Sequence, residues 1–368
     1  MSATALSIVV PTFREAGNLE ALARRIERTM RAAGLEWELI VVDDDSRDGI
    51  EQVVAELSDD MPVRLEVRIA PRRDLSLSVV RGMELAHHDV VVVMDADLSH
   101  PPEAIPELLA SLSEGKPMVV GSRYLPGSSL DEEWGADRLL QSRLATILTK
   151  PLVSCADPMS GFFAADLRQL PVLSELRPIG FKIGLELMVR GELDVVEVPI
   201  FFKDRSVGQS KMNARQQINY LRHLWRLYLF RFGRPGRMVS FVMVGSSGLL
   251  VDIAVFWGIR WAGVDHRVAR LISFWIAASW NWWLNRNLTF EERPKRRPGW
   301  QWVKFVGGSL VGFGANFGSY LALTGMLDLF QRNQTFALIC GVALGTAANY
   351  AMATLFVFPR AGRRRKNP

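Results

Sequence analysis

The sequence predicts two unlike parts: an α/β domain with a mostly parallel sheet at residues 1–212, and an all-α domain of four transmembrane helices at residues 237–360. Two observations support this. In the first part, short unbroken apolar runs alternate with segments of helical spacing, which is typical of strands covered on both faces. In the second part, long apolar stretches rich in Trp, Phe and Gly come close to the ~20 residues that a membrane-spanning helix needs.

Five apolar runs in the first part are predicted to be strands. They are Ala5–Pro11, Glu38–Val42, Val63–Ile69, Val90–Met94 and Met118–Gly121. Helices are predicted at Asn18–Ala33, where apolar residues recur every three or four positions, and at Leu77–Ala86. Polar clusters follow the carboxyl ends of several strands, where parallel sheets bind their ligands. The domain is expected to end near Arg205–Lys211.

Residues 213–236 contain the segment INYLRHLWRLYLFRF, which is rich in Arg, Leu, Trp and Tyr. This pattern is typical of amphipathic helices that lie on a membrane surface. The alternative is a helix that packs on the soluble domain.

Four apolar stretches follow, and each is predicted to span a membrane. They are Met238–Ile259, Val268–Leu284, Val303–Leu327 and Thr335–Phe358. A second soluble domain with buried helices is the alternative, but four such stretches in a row disfavour it. Glycines within the stretches allow close approach of neighbouring helices.

Basic residues cluster before the first predicted span, between the second and third, and after the fourth, whereas the other two loops carry fewer. The positive-inside rule therefore predicts a multi-pass protein of the cell membrane with both termini in the cytoplasm. The N-terminus lacks the basic region of a signal peptide, which agrees with a cytoplasmic first domain. Because the net charge of +5 is concentrated at the edges of apolar runs, it indicates lipid headgroups and no nucleic-acid partner.

The strongest chemical signal is VVVMDADLSHPPE at Val91–Glu103, where an apolar strand leads into Asp95 and Asp97. Residues two apart on a strand point the same way. Two converging carboxylates require a cation between them, and a hard divalent ion bound to a substrate diphosphate meets that need. No Cys–His or Ser–His pair is apparent, and Cys155 and Cys340 predict no disulfide framework.

A second strand ends in carboxylates in VVDDDSRDG at Val41–Gly49, and a third in PTFRE at Pro11–Glu15. An aspartate at such a place accepts hydrogen bonds from a base N–H, or it only shapes a surface turn. His100 is either a proton shuttle or a structural hydrogen-bonding residue beside the predicted metal.

These segments, with VGSRY, DPMSGFF and VGQSKM further along the chain, resemble family 2 glycosyltransferases of the GT-A fold, and more narrowly the polyprenyl-phosphate (dolichol-phosphate) mannose synthases. The likeness covers about the first 230 residues. The segments FVMVGSSGLLVD and NWWLNRNLTF resemble GtrA-like membrane domains.

The resemblance assigns roles to individual residues. Implied as catalytic are Asp95, Asp97, Arg123, Arg138 and Ser142. Implied to bind the nucleotide sugar are Pro11, Thr12, Glu15, Val42, Asp43, Asp95, Ala96, Asp97, Arg205 and Lys211. Implied to hold Mg²⁺ or Mn²⁺ are Asp95, Asp97 and Ser99, the last at a position where the family usually has Gln. The family's Gly-rich stretch is altered here to RDLS at Arg73–Ser76.

The implied reaction is inverting transfer of mannose from GDP-mannose to a polyprenyl phosphate. Because a phosphate monoester is already nucleophilic near neutral pH, no strong general base is needed. The His-Pro-Pro-Glu ending of the Asp95 motif favours mannose. Two alternatives stay open: the same chemistry with UDP-glucose or another UDP-sugar, and a flippase for lipid-linked sugars with an inactive sugar-binding domain. The sequence predicts no oligomeric state.

Overall fold

The computed structural model describes residues 5–71, 73–130, 136–180, 182–202, 214–295 and 297–359, with side chains described throughout except at 130, 136–142, 214 and 215. The chain divides into two compact units, Met1–Arg231 and Phe232–Pro368. The predicted boundaries at residues 212 and 236 stay predictions.

The first unit is built on a seven-stranded sheet with the order β3-β2-β1-β4-β7-β5-β8. Its strands are β1 Ala5–Thr12, β2 Glu36–Asp43, β3 Val63–Val67, β4 Val90–Val93, β5 Met118–Ser122, β7 Phe163–Asp166 and β8 Val195–Pro199. The short strands β6 Ser129–Leu130 and β9 Phe201–Phe202 form a separate parallel pair. All five predicted strands are confirmed, and β7 and β8 are additions that were not predicted.

Only β7 runs antiparallel to its neighbours β4 and β5, and the other pairs in the seven-stranded sheet are parallel. The predicted mostly parallel α/β fold is therefore confirmed. Since β7 runs in the opposite direction, the loop before it reaches the edge where β4 and β5 end. This reversal brings a distant part of the chain to the predicted site.

Helices cover both faces of the sheet. They are α1 Ala16–Ala33, α2 Ile50–Ser58, α3 Leu75–Leu85, α4 Ile105–Ala110, α5 Ala136–Thr149, α6 Ile183–Gly191 and α7 Ala214–Arg231. Successive residues of β1 point to opposite faces of the sheet. Ile8 packs with α1 and α2 on one face, and Val9 packs with α3 on the other. At Gly82 of α3, a Cβ would overlap the side chain of Val9, so the absence of a side chain lets this helix lie close to the sheet.

Helix α7 packs one face against α5 and α6. Leu224 and Leu227 are buried there. The buried His223 places Nε2 2.7 Å from the Glu186 carboxylate, which also accepts hydrogen bonds from Arg190 and from the Arg177 backbone N–H at 2.9 Å. This is the packing described by the alternative reading of residues 213–236. The outer face stays apolar in part, as at Ile218 and Leu221, and its place at a membrane surface stays a prediction.

The second unit is entirely helical in its long elements. It contains α8 Gly233–Trp261, α9 His266–Leu284, α10 Pro298–Met326, α11 Asp328–Arg332 and α12 Gln334–Met352. The four predicted apolar stretches overlap α8, α9, α10 and α12, and the predicted all-α character of this part of the chain is confirmed. Within the described residues, the helical stretches 233–261 and 334–357 are long and apolar enough to cross a membrane. Crossing by α9 and α10 stays a prediction.

Candidate active site

The carboxyl ends of β1, β2 and β4 meet at one edge of the sheet. Thr12 on β1 pairs in register with Asp43 on β2, and the N–H of Met94 donates to the carbonyl of Val9 on β1 at 3.2 Å. The polar residues that follow these strands are therefore neighbours, as the sequence predicted. Of the predicted nucleotide-binding residues, Pro11 and Val42 lie within β1 and β2, and both are buried.

The Asp43 carboxylate is already bound by donors of its own chain. It accepts hydrogen bonds from the Thr12 hydroxyl at 3.0 Å, from the Ser46 backbone N–H at 2.7 Å and from the Ser46 hydroxyl. Only 1% of the residue is exposed. Asp43 therefore organises the turn after β2, and its predicted contact with the base stays a prediction. Glu15, a further predicted nucleotide-binding residue, accepts from the Asn18 amide at 2.7 Å.

The two aspartates after β4 differ in exposure. Asp97 is buried and accepts hydrogen bonds from the Ser99 backbone N–H at 3.1 Å and from the Ser99 hydroxyl. Asp95 is 30% exposed, and its carboxylate accepts no hydrogen bond from the described residues. Ala96 between them is buried. The Asp97 carboxylate is therefore buried within the loop after β4, whereas the Asp95 carboxylate is partly exposed at the edge of the sheet.

The loop before β7 leaves space beside Asp95. A Cβ built on Gly161 would lie 3.3 Å from each Asp95 carboxylate oxygen and 3.5 Å from Cε1 of His100. Contacts near 3.3 Å are tighter than carbon and oxygen ordinarily adopt, so a side chain here would push the carboxylate aside. Gly161 was not predicted as a site residue, although the DPMSGFF segment that contains it was singled out.

The buried His100 connects the loop after β4 with the loop before β7. Its Nδ1 accepts a hydrogen bond from the Asp95 backbone N–H at 3.0 Å, and its ring stacks on Phe162 with centroids 5.3 Å apart. Burial lowers the pKa of the imidazole, so the neutral form is favoured. This geometry corresponds to the structural role rather than to a proton shuttle.

Arg123 is held by a buried carboxylate. Its Nε and Nη2 donate to Asp157 at 2.7 and 2.8 Å, and its backbone N–H donates to the same side chain at 3.1 Å. Burial opposes the charge of Arg123, but the hydrogen bonds and charge of Asp157 outweigh it and raise the pKa of the guanidinium. Glu197 completes the arrangement by accepting from the backbone N–H groups of Ala156 and Asp157 at 2.7 and 3.0 Å.

The altered segment at residues 73–76 lies beside the turn after β2. The Asp44 carboxylate accepts from Arg68 and from the Asp74 backbone N–H at 2.8 Å. Arg73 lies over the Phe13 ring, 4.3 Å from its centroid. Arg73 and Asp74 thus contact the loop after β1 and the turn after β2, the two segments of the predicted nucleotide site.

Backbone strain is concentrated at the same edge. Among the described residues, five residues other than glycine have positive φ, and four of them lie in the loops after β1, β2 and β4: Arg14 at 62°, Asp45 at 53°, Arg47 at 55° and Leu98 at 65°. Such conformations are costly for L-residues and cluster at functional sites.

The positions of four predicted site side chains lie outside the part of the chain that the structure describes. They are those of Arg138 and Ser142 on α5, and of Arg205 and Lys211. Their predicted contacts with phosphate groups stay predictions.

Taken together, a mostly parallel sheet, an Asp-x-Asp pair at the end of β4 and an adjacent carboxylate turn define the catalytic domain of a glycosyltransferase. A model described as glycosyl transferase family 2 matches residues 7–170, and a model described as the GtrA/DPMS transmembrane domain matches residues 240–358. The chain therefore belongs to the family 2 glycosyltransferases, in the group of relatives named dolichol-phosphate mannosyltransferase, and it is a membrane protein.

Two relatives of that name match over most of the chain. The Pyrococcus furiosus protein is 37% identical over 324 residues, which is 86% of this chain and 90% of the relative. The Saccharomyces cerevisiae protein is 35% identical over 276 residues, 72% of this chain and 98% of the relative. Among solved structures, glucosyl-3-phosphoglycerate synthase from Mycobacterium tuberculosis is 21% identical, covering 61% of this chain and 80% of its own with a TM-score of 0.47.

Proposed function

We propose that this enzyme transfers mannose from GDP-mannose to a polyprenyl phosphate at the cytoplasmic face of the membrane, with inversion at the anomeric carbon. The observation that carries the proposal is the match to the dolichol-phosphate mannosyltransferase of P. furiosus over 90% of that relative. The aligned length of 324 residues exceeds the catalytic unit, so the likeness includes the helical unit.

The donor set after β4 fits Mg²⁺ or Mn²⁺. Asp95 offers an exposed carboxylate beside the space left by Gly161, and Asp97 lies two residues away. In the described residues no cluster of three or more His, Cys, Asp or Glu side chains forms a metal site. A site of two carboxylates suits ions that keep several waters and bind substrate phosphates. Asp95 and Asp97 would hold the ion directly, and Ser99 would orient Asp97 through its hydrogen bonds.

When bound, the ion supplies Lewis-acid neutralisation of the departing nucleoside diphosphate. The protein's own residues do the remaining work. Asp157 fixes the guanidinium of Arg123 so that its positive charge is held at the end of β5. A fixed cation at this edge stabilises an anionic acceptor without reorganisation during the reaction. Arg138, Ser142, Arg205 and Lys211 are proposed to hold the lipid phosphate and the diphosphate.

The acceptor phosphate acts as its own nucleophile. With a second pKa near about 6, it is largely dianionic at neutral pH. The neutral, buried His100 is therefore not required as a base. Its hydrogen bond from the Asp95 backbone instead holds the metal-binding loop in place.

The membrane arrangement is proposed to be multi-pass, with the catalytic unit and both termini in the cytoplasm. The distribution of Arg and Lys around the four long helices supports this orientation. A polyprenyl phosphate would then meet the catalytic domain from the membrane surface on which its headgroup lies.

One assay tests the donor, acceptor and metal together. Full-length protein in detergent is given labelled GDP-mannose or UDP-glucose, a polyprenyl phosphate, and Mn²⁺ or Mg²⁺. We expect transfer from GDP-mannose only, with loss on chelation and recovery on adding back the ion. Transfer from UDP-glucose would establish the alternative donor, and absence of transfer from either donor would refute the proposal.

A further inference from the structure

The loop at residues 157–161 contacts two charged groups of the candidate active site from one short segment. At its start, Asp157 accepts hydrogen bonds from the guanidinium of Arg123 at 2.7 and 2.8 Å. At its end, Gly161 borders the Asp95 carboxylate, since a Cβ there would lie 3.3 Å from each carboxylate oxygen. A displacement of this loop would therefore disturb the proposed metal-binding carboxylate and the cation proposed for the acceptor at the same time.

The middle of this loop is bound to β5 on one side and to α6 on the other. The Ser160 hydroxyl donates to the carbonyl of Gly121 on β5 at 2.8 Å. Lys182, the residue before α6, donates from Nζ to the Met159 carbonyl at 2.7 Å. In the first turn of α6, a Cβ on Gly184 would lie 3.5 Å from the Ser160 carbonyl oxygen, so the helix backbone comes close to the loop. The N-terminal end of α6 therefore supports the loop directly.

Helix α7 reaches the same loop through an apolar cluster. The Met159 side chain is buried in one cluster with Leu185 and Val189 of α6 and with Leu224 and Leu227 of α7. Side chains in such a cluster fit closely, and a change of volume in one of them displaces its neighbours. The position of Met159 therefore depends on how α7 packs against the catalytic unit.

Polar contacts fix the orientation of α7 on both of its neighbours. The contact of 2.7 Å between His223 and Glu186 joins it to α6, one helical turn beyond Lys182. The hydroxyl groups of Tyr220 and Tyr228 donate to backbone carbonyls of α5 at 2.8 Å each. Because these directional contacts lie on the same face as the two buried leucines, they keep that face turned towards Met159.

The contacts form a continuous path from α7 through α6 and the loop at residues 157–161 to the candidate active site. We propose that Met159 and Lys182 are positioning residues of the transfer reaction, through which the packed helix α7 holds this loop against Asp95 and Arg123. The proposal rests on the proposed function, because it concerns the same edge of the sheet. The helix expected to lie on the membrane surface would thus also support the catalytic loop.

Two substitutions of Lys182 separate positioning from folding. Lys182→Met removes the donor to the Met159 carbonyl, whereas Lys182→Arg keeps one. Full-length protein in detergent is assayed with the sugar donor that the unmodified enzyme uses. We expect Lys182→Met to lower kcat about tenfold, as small displacements of reacting groups do, and to raise the Mn²⁺ concentration needed for the half-maximal rate. Lys182→Arg should retain the kcat and the Mn²⁺ requirement of the unmodified protein.

Amide hydrogen exchange of the loop gives a readout that needs neither metal nor substrate. The Ser160 N–H donates to the Asp157 carbonyl at 3.2 Å, so peptides covering residues 157–163 report local opening of the loop. Lys182→Met and Leu224→Ala should both lower the protection factors of these peptides. Absence of transfer by the unmodified protein would refute the proposed function, whereas unchanged protection in these two variants would refute the support of the loop by α7.

Leu57→Ala is the matched control for Leu224→Ala. Leu57 on α2 is 2% exposed and Leu224 is 5% exposed, so each change opens a cavity in the core, but Leu57 lies outside the cluster around Met159. Both variants should lower the thermal unfolding midpoint, whereas only Leu224→Ala should lower kcat and the protection of the loop. Unchanged kcat in Lys182→Met, or equal losses of kcat and loop protection from Leu57→Ala and Leu224→Ala, would overturn the proposal.

Discussion

The ends of β2 and β4 carry aspartates at the same edge of the sheet, but their carboxylates meet different surroundings. At the end of β2, Asp43 is enclosed and receives three hydrogen bonds from Thr12 and Ser46. At the end of β4, Asp95 faces an opening that Gly161 leaves clear. The difference indicates that the first carboxylate stabilises a loop, whereas the second is available to a ligand.

The largest expected effect is at the end of β4. Asp97→Ala removes one of the two carboxylates proposed to hold the metal, and we expect transfer to fall roughly 10⁴-fold, on the order of 5 kcal/mol in activation free energy. Initial rates with saturating donor and Mn²⁺ measure this, beside the thermal unfolding midpoint as a check on folding. A variant that stays folded and transfers normally in the presence of a chelator would exclude the metal-binding role.

A comparably large effect, on stability, is expected from Asp157→Asn. Asp157 is a fully buried carboxylate, so this variant tests how much an enclosed carboxylate contributes to stability. The change leaves the largely buried guanidinium of Arg123 without its charged partner, and breaking such a buried pair costs about 3–5 kcal/mol. Denaturant unfolding followed by circular dichroism measures the loss. Asp45→Asn is the matched control, since Asp45 pairs with Arg47 by two hydrogen bonds at the surface. Equal destabilisation in both variants would contradict the importance of burial.

A third carboxylate, Glu186, extends the comparison to pH. Burial alone would raise its pKa, but His223, the Arg177 N–H and Arg190 outweigh burial and lower the pKa to about 2 from the ordinary 4.5. A lowered pKa in the folded state contributes stability above pH 4.5 that is lost as the pH falls towards 2, on the order of 3 kcal/mol. The protection factors of the α7 amides, which compare the measured exchange rate with the intrinsic rate at the same pH, should therefore fall between pH 5 and pH 3.

In Glu186→Gln the carboxyl group is absent, so this acid-induced loosening of α7 should disappear. An identical pH dependence in that variant would show that another group controls the docking of the helix.

At the end of β2, Asp43→Asn should affect stability more than catalysis. The amide nitrogen of Asn cannot accept a hydrogen bond, so a donor from Thr12 or Ser46 loses its partner at a cost of about 1–3 kcal/mol. Turnover at saturating donor is expected to fall less than tenfold. If a folded Asp43→Asn protein loses turnover as completely as Asp97→Ala does, then the carboxylate at the end of β2 has a catalytic role and does not only stabilise its loop.

The smallest effect is expected from Gly161→Ala. The new methyl group would crowd the Asp95 carboxylate from 3.3 Å, and we expect about a tenfold loss in kcat/KM with a higher Mn²⁺ requirement, equivalent to about 1.4 kcal/mol. Gly17→Ala on α1 is the control, because a Cβ there meets nothing within 4 Å. Unchanged metal dependence in Gly161→Ala would show that the space beside Asp95 is not used.

The sequence predicted the parallel part of the sheet because its valine-rich and isoleucine-rich strands are continuous apolar runs. It also located Asp95 and Asp97, since both lie directly after such a run. It did not predict β7, whose sequence FAAD contains two alanines and an aspartate and so forms no run of large apolar side chains. The partnership of Arg123 with Asp157 was missed for a different reason. It joins segments far apart in the chain, and neither residue's local pattern identifies the other.

The reversed direction of β7 also affects the order in which the enzyme becomes competent during synthesis. Asp95 emerges from the ribosome well before Gly161, and contacts between such distant segments form only after both are available. The loop carrying Asp95 and Asp97 therefore lacks one wall until β7 pairs with β4 and β5. Since the helical unit follows later still, the edge that carries Asp95 can be completed before α8 leaves the ribosome.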